Sequence, residues 1–425
     1  MTVFDRIESN VRGYCRSFPT TFATAQNATL TDVDGEQYID FLAGAGTLNY
    51  GHNNPQLKQP LVEYLQQDGV LHGLDMHTDA KEKFLETFEE HILWPLELDY
   101  KIQFTGPTGT NAVEAALKLA RKVTGRTNVV SFTNGFHGVS LGSVAATGNS
   151  HFRDAAGTPL NNVTFMPYDG YLGDETDSLE YFERVLQDSS SGLDLPAAVI
   201  VETIQGEGGV NVASTEWLQR LEELCHEYEI LLIVDDIQVG CGRTGTFFSF
   251  EEAGIVPDMV TLSKSLSAYG LPMSLVLMKS ELDQWKPGEH NGTFRGNNLA
   301  FVSARAAIEL YWRDYAMTRA VKRKGELLKN RLQEIADECN DIDLEVRGRG
   351  MIWGLACREC PQLMGKVSEA AFERGLIIET SGTDDHVLKC LPPLTIEDEQ
   401  LQRVLDIVAE SFEAILSDAE ITEEL

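Results

Sequence analysis

The chain has 425 residues, more than a single ordinary core of ~100–200 residues carries, so one large domain and one smaller one are expected. Hydrophobic residues at 43% and charged residues at 24% exclude a mostly disordered chain, and no apolar run reaches the ~18 residues of a membrane helix. Lys and Arg total 34 against 66 Asp and Glu, and the resulting net charge of −32 excludes nucleic acid and anionic lipid as partners.

Such an anionic surface suits high ionic strength and points to a halophilic or salt-tolerant cytoplasm. Seven scattered cysteines and a start, MTVFDRIESN, without an apolar signal core agree with a reducing, cytoplasmic setting. Taken in chain order, Ala28–Phe41 (with TLTDVDGEQYIDF) reads as a hairpin turning at Asp34-Gly35. Between Lys101 and Met278, β-rich runs alternate with helical periodicity. The runs are Lys101–Phe104, Asn128–Phe132, Ala198–Glu202, Ile230–Asp235, Met259–Leu262 and Ser274–Met278. The helices are Ala112–Lys122, Leu179–Leu186, Thr215–Tyr228 and Phe301–Tyr311. This alternation predicts an α/β fold with a mainly parallel sheet between helices. From Met317 come a long helix, a Gly-punctuated strand region, another helix and a final helix over Glu397–Leu416. Residues 1–52 and 313–425 are expected to form a small α+β domain, and 53–312 the large one. Asp188–Gly192 and the acidic tail Asp418–Leu425 read as surface segments.

Five groups of residues carry chemistry. In TGPTGTNAVEAALKLARK, Thr105–Lys122, a Gly-rich turn leads from a strand into a helix that Thr110 or Asn111 would cap, which makes a small phosphate site. The apolar run Ile230–Val234 ends in Asp235 and Asp236, carboxylates at the carboxyl edge of a buried strand. A salt bridge to Arg243 is the structural alternative there. Lys264, after Met259–Leu262, sits at another strand end, where desolvation makes an amine nucleophilic. Phe136-His137 between glycines can lie against a heteroaromatic ring, and Glu202 and Glu207 flank a Gly-rich loop. A phosphate cradle, a stacking aromatic, a carboxylate for a ring nitrogen and a lysine for an aldehyde are together what pyridoxal 5′-phosphate (PLP) requires.

The order TGPTGTNAVEAALKLAR, FHG, ETIQGEGG, DDIQVGCGRTG, TLSKS and GTFRGNN resembles the class III aminotransferases of the fold-type I PLP family. Within it, VRGYCRSFPTTF and VLKCLPPLTIEDEQL are most similar to the diaminobutyrate–2-oxoglutarate aminotransferases of ectoine synthesis, which serve osmotic stress. The resemblance implies transfer of an amino group from L-glutamate to L-aspartate 4-semialdehyde. The alternatives are an ornithine or 4-aminobutyrate ω-aminotransferase, a glutamate-semialdehyde-type aminomutase and a non-catalytic PLP-binding protein, which the presence of Lys264 and Asp235 disfavours. It also implies that Lys264 carries the cofactor and moves the proton, Asp235 pairs with the ring nitrogen and Gln238 reaches the ring hydroxyl. Gly109 and Thr110 would hold the phosphate with Asn111 nearby, Phe136 would stack on the ring with His137 supporting that wall, and Glu202 would line the cofactor site. Thr293 would reach the phosphate of a neighbouring subunit, in a homodimer or higher oligomer with shared sites.

Departures from the family pattern stand at the substrate end. Lys389 occupies the place of an Arg that grips a carboxylate, with Glu207 as its partner. Val139 follows FHG where Arg is frequent, leaving Arg16 as the candidate for the distal carboxylate. Asp236 and Thr203 stand where Glu and Pro are usual. No metal site is expected, and Cys357/Cys360 are expected to bind neither metal nor each other. The basic run Arg319–Lys324 is expected on a solvated face or against an acidic neighbour.

Overall fold

A computed structural model describes residues 2–173, 176–339 and 342–417. Its centre is a seven-stranded sheet in the order Tyr100–Phe104, Leu275–Lys279, Met259–Leu262, Leu231–Asp235, Ala198–Val201, Val129–Phe132, Val163–Met166. Only Leu275–Lys279 runs against its neighbours. Residues alternate between two apolar layers, Val199, Val201, Leu232 and Val234 on one side and Ala198, Ile200 and Ile233 on the other. A strand covered on both faces reads as a continuous apolar run, which is why these segments carry almost no polar residue before their ends. The edge strand Val163–Met166 was not anticipated, because its run VTFM is short and lacks flanking alternation. The helix after Phe104 spans Gly109–Thr124, beginning three residues before the expected start, with Thr108 at its N-cap.

The chain ends meet. Phe22–Gln26, Thr29–Asp32 and Gln37–Asp40 form an antiparallel sheet, to which Leu376–Ile377 adds in parallel. The hairpin turn is fixed by Asp32, whose Oδ1 accepts the N–H of Asp34 at 3.0 Å and of Glu36 at 2.9 Å. A second sheet runs Glu345–Arg349, Ile352–Ala356, Val387–Cys390, Glu379–Ser381. Ala28, Phe41 and Tyr50 share one apolar cluster with Leu328, Leu355, Leu388 and Phe412. The final helix spans Asp398–Ser417, and the acidic tail from Asp418 lies outside the described residues. Among the described residues no helix is long and apolar enough to cross a membrane.

Within the basic run, Lys322 pairs with Glu252 at 2.9 Å and Arg323 with Asp398 at 2.8 Å. Lys324 is instead buried, donating to the carbonyls of Leu394 and Ile396, which ties the long helix to the approach of the last one.

Arg243 is fully buried, and among the described residues it binds no carboxylate; the expected alternative of a salt bridge with Asp235 or Asp236 is replaced by a different arrangement. Its guanidinium donates to the carbonyls of Met351 (2.9 Å) and Pro392 (2.5 Å) and to Asn49 Oδ1 (2.6 Å), joining three distant segments. Replacing it with Met is expected to destabilise the protein by about 3 kcal/mol, because buried acceptors lose their donor. Chemical denaturation of the two proteins measures this directly.

Candidate active site

The carboxyl ends of the parallel strands open into a cavity of about 170 Å³, lined by Gly109, Thr110, Phe136, His137, Gly138, Glu202, Glu207, Asp235, Ile237, Gln238 and Lys264. This is where open parallel sheets bind ligands. Eight residues singled out from the sequence therefore come together from five separate segments, with Glu207 as a ninth from the substrate end.

Lys264 follows the strand Met259–Leu262 and has φ +46°, a left-handed conformation that a side-chain-bearing residue adopts only at a cost. Burial lowers its pKa, against the pull of Glu207, so its amine favours the neutral form more than a surface lysine does. Asp235, at the end of the neighbouring strand, is 4% exposed. Its Oδ1 accepts from Thr261 Oγ1 at 3.1 Å and from the N–H of Ile237 at 3.2 Å, and its Oδ2 lies 2.7 Å from His137 Nδ1. His137 is thus the partner of Asp235, a more specific place than the general support of a ring wall expected from the sequence. Buried Glu202 accepts the N–H of Phe136 at 2.9 Å, fixing the loop that presents the aromatic ring. Burial and the neighbouring Asp235 hold Glu202 well above the usual carboxylate range.

At the other end of the cavity the helix Gly109–Thr124 presents its first-turn backbone, a natural anion seat. Gly138 has φ +115°, and a Cβ there would lie 2.6 Å from Thr110 Oγ1, so only glycine lets the FHG loop close over the helix start. Thr110 Oγ1 is itself held by Ser140 Oγ at 2.7 Å and Ser143 Oγ at 2.5 Å. Asn111 turns away, donating to Thr108 Oγ1 at 2.7 Å, and it is not among the cavity-lining residues.

Gln238 donates to Glu207 Oε1 at 2.8 Å and to the carbonyl of Ala45 at 3.1 Å, while its own Oε1 is buried without a partner. Glu207 also accepts from Lys389 at 2.8 Å, and Lys389, fully buried, lies 3.0 Å from Glu379 as well. Burial pushes Glu207 up, but Lys389 and Lys264 outweigh it and hold its pKa at about 2. Glu379 is pushed up to about 7 by burial, despite Lys389. Lys389 is raised above the usual lysine range, its two carboxylates overcoming burial.

Two sequence candidates lie elsewhere. Arg16 spends its guanidinium on the carbonyls of Arg12 and Asn10 within its own exposed arm. Thr293 is exposed and is not among the cavity-lining residues. Sequence reasoning passed over Glu379, which faces Lys389 directly across an antiparallel ladder. Opposite charges flanking the Ser381-Gly382-Thr383 turn were the available signal. It also passed over Tyr14, whose hydroxyl lies beside Glu379 and whose pKa is raised, first by burial and then by that carboxylate.

Asp236 is buried, and its Oδ2 accepts the N–H of Ser249 at 3.1 Å. Burial raises it from 3.8 to about 7. The folded state therefore binds its proton more tightly than the unfolded chain. The stabilisation from this group is complete below 3.8 and is lost as the pH rises through about 7. Asp236→Asn removes the titration, so the melting temperature of the wild type relative to this variant is expected to fall between acid and neutral pH. A constant difference across that range contradicts the assignment.

Comparison with known proteins identifies the family. The family model "Aminotransferase class-III" matches residues 14–412. The chain is 62% identical over 418 residues to a diaminobutyrate–2-oxoglutarate transaminase of Bordetella parapertussis, covering 98% of this chain and 96% of that protein. It is 59% identical to the enzyme of the same name from Halomonas elongata, covering 98% and 99%. Among solved structures it superposes with a TM-score of 0.83 on the ornithine aminotransferase of Toxoplasma gondii, described as showing partial occupancy of PLP at its active site. That pair is 26% identical, and the match covers 99% of this chain and 93% of the other. The chain belongs to the class III aminotransferases.

Proposed function

We propose that the chain transfers the amino group of L-glutamate to L-aspartate 4-semialdehyde, giving L-2,4-diaminobutyrate and 2-oxoglutarate, with PLP as cofactor. The observation that carries this reading is near-full-length identity of 54–62% to several transaminases of that name. The cavity supports the cofactor: a helix start for the phosphate, a close glycine at 138, a buried acceptor on Gln238 for the ring hydroxyl and the carboxylate of Asp235 for the ring nitrogen. When bound, PLP supplies an aldehyde that takes up the amino group and a protonated ring that accepts the electrons released at the substrate carbon.

The chain's own groups do the rest. Lys264, biased towards its neutral form by burial, is the base that takes the proton from the substrate carbon and returns it one position away. Asp235 keeps its charge directed at the ring nitrogen, because Thr261, Ile237 and His137 fix both oxygens. Phe136 covers one face of the ring site. Lys389 and Glu207 form the substrate-facing ion pair, in which the lysine offers a point charge to a carboxylate. The cleft belongs to a large domain of residues 53–312, with 1–52 and 313–425 as the small domain that carries Lys389. Purified protein assayed with glutamate and aspartate semialdehyde, with ornithine and 2-oxoglutarate, and with aspartate semialdehyde alone tests the function. Consumption of glutamate in equal amount with diaminobutyrate formed is the expected outcome, and isomerisation without glutamate would overturn it.

Two copies are further proposed to pair through the face bearing Val70, Leu71, Leu74, Met76 and Phe294, all 41–65% exposed. A patch of large apolar side chains flanking Thr293 suits a partner surface rather than water. Thr293 would then reach the phosphate seat of the other subunit. Thr293→Ala is expected to weaken PLP retention by about tenfold, the worth of one hydrogen bond to a charged group. Equilibrium titration of the apoprotein with PLP, with mass measured by light scattering, checks both parts.

A further inference from the structure

The wall around Lys389 carries more negative charge than a lysine that only binds carboxylates requires. One fully buried ammonium lies between two carboxylates, Glu207 at 2.8 Å and Glu379 at 3.0 Å. The two acids are not equivalent. Glu207 is satisfied, accepting from both Lys389 and Gln238. Glu379 is 8% exposed, and its Oε1 shares the same ammonium at 3.0 Å, with no amide donor of the kind that Gln238 gives Glu207. Tyr14 approaches the same carboxylate from the N-terminal arm. Glu379 also feels Lys264, so it lies within electrostatic reach of the reacting amine.

An anion entering here has to break one of the two ion pairs to reach Lys389. A cation breaks none, and it adds positive charge where two carboxylates share the one ammonium of Lys389. Glutamate brings one ammonium, and that group reacts. A diamino acid brings a second, two carbons from the reacting centre. We propose that Glu379 is a specificity-determining residue that recognises the non-reacting α-ammonium of a diamino acid and of its amino-aldehyde counterpart. This rests on the functional reading above and goes beyond it by assigning the group that separates the two substrates. The reluctance of Glu379 to ionise, from burial, is what an incoming ammonium relieves.

The test uses holoenzyme and measures each half-reaction alone, following the cofactor absorbance with L-2,4-diaminobutyrate, 4-aminobutyrate or L-glutamate. 4-Aminobutyrate is diaminobutyrate without the α-ammonium. The wild type is expected to prefer diaminobutyrate, and Glu379→Gln to lose about tenfold or more of that preference, mainly in KM, since a buried acceptor for the ammonium has been neutralised. The ratio of diaminobutyrate to glutamate specificity should fall by a similar factor. Glu379→Asp keeps the charge and is expected to recover part of the preference, which a merely structural role would not produce. If Glu379→Gln does not fold, Glu379→Asp and the wild-type preference still decide. Equal losses for all three amines, or a wild type indifferent to the α-ammonium, overturn the proposal alone. A wild type inert towards diaminobutyrate overturns the functional reading and this proposal with it.

Discussion

Lys264→Ala is expected to abolish turnover, with kcat falling on the order of 10⁴-fold, because one side chain is lost both as nucleophile and as proton carrier. The structure makes the loss specific. The ammonium is set at the end of a buried strand, in a left-handed backbone turn, with its charge disfavoured by burial. Among the described residues no other lysine lines the cavity, and Lys389 is held between two carboxylates as a charged group that is a poor base. The other cavity-lining residues are untouched by the substitution, so the variant should still take up PLP, now released by dialysis and not fixed by borohydride reduction. Mass spectrometry after reduction distinguishes the two proteins: a pyridoxyl adduct on the peptide with Lys264 in the wild type, none in the variant. A variant that kept its activity would remove the basis of the functional reading.

The seven-stranded sheet was legible because its strands are buried on both faces. Met259–Leu262 is found as read, and Leu231–Asp235 differs by one residue at its start. The helix after the Gly-rich turn was placed late because its first turn, Gly109-Thr110-Asn111, has poor helix formers. That turn is stabilised by position at a strand end and not by propensity. The two four-stranded sheets were less legible. Leu376–Ile377 joins Gln37–Asp40 across more than three hundred residues, and nothing local in a two-residue strand announces such a pairing.

The site shows the same division. Residues at strand ends, Asp235, Glu202 and Lys264, converge because the sheet places all carboxyl ends on one edge, which a pattern of strands already implies. Contacts between side chains from distant segments were not available to that reasoning. The 2.7 Å pairing of His137 with Asp235 and the second carboxylate on Lys389 depend on how loops and separate sheets pack together. Arg16 illustrates the reverse: its charge suggested a carboxylate site, but its short arm lets it satisfy carbonyls four and six residues back.

Asp235→Asn keeps the shape of the strand end and removes its charge, and kcat is expected to fall by roughly 10²–10³, the usual worth of one preorganised electrostatic group. The amide oxygen can still accept from Thr261 and Ile237, so the fold should survive. What disappears is the negative charge that stabilises a proton on the ring nitrogen and hence the ring's capacity to accept electrons. His137 gives a control on this interpretation. It touches Asp235 Oδ2 at 2.7 Å, and its removal leaves the carboxylate in place but less well oriented. His137→Ala should therefore slow the reaction by less than Asp235→Asn, and the double variant by little more than Asp235→Asn alone, since both act through one carboxylate. Single-turnover rates with glutamate, taken on proteins matched for PLP content, measure all three. Full additivity would mean that His137 serves the ring wall independently, and an unimpaired Asp235→Asn would remove the carboxylate from the mechanism.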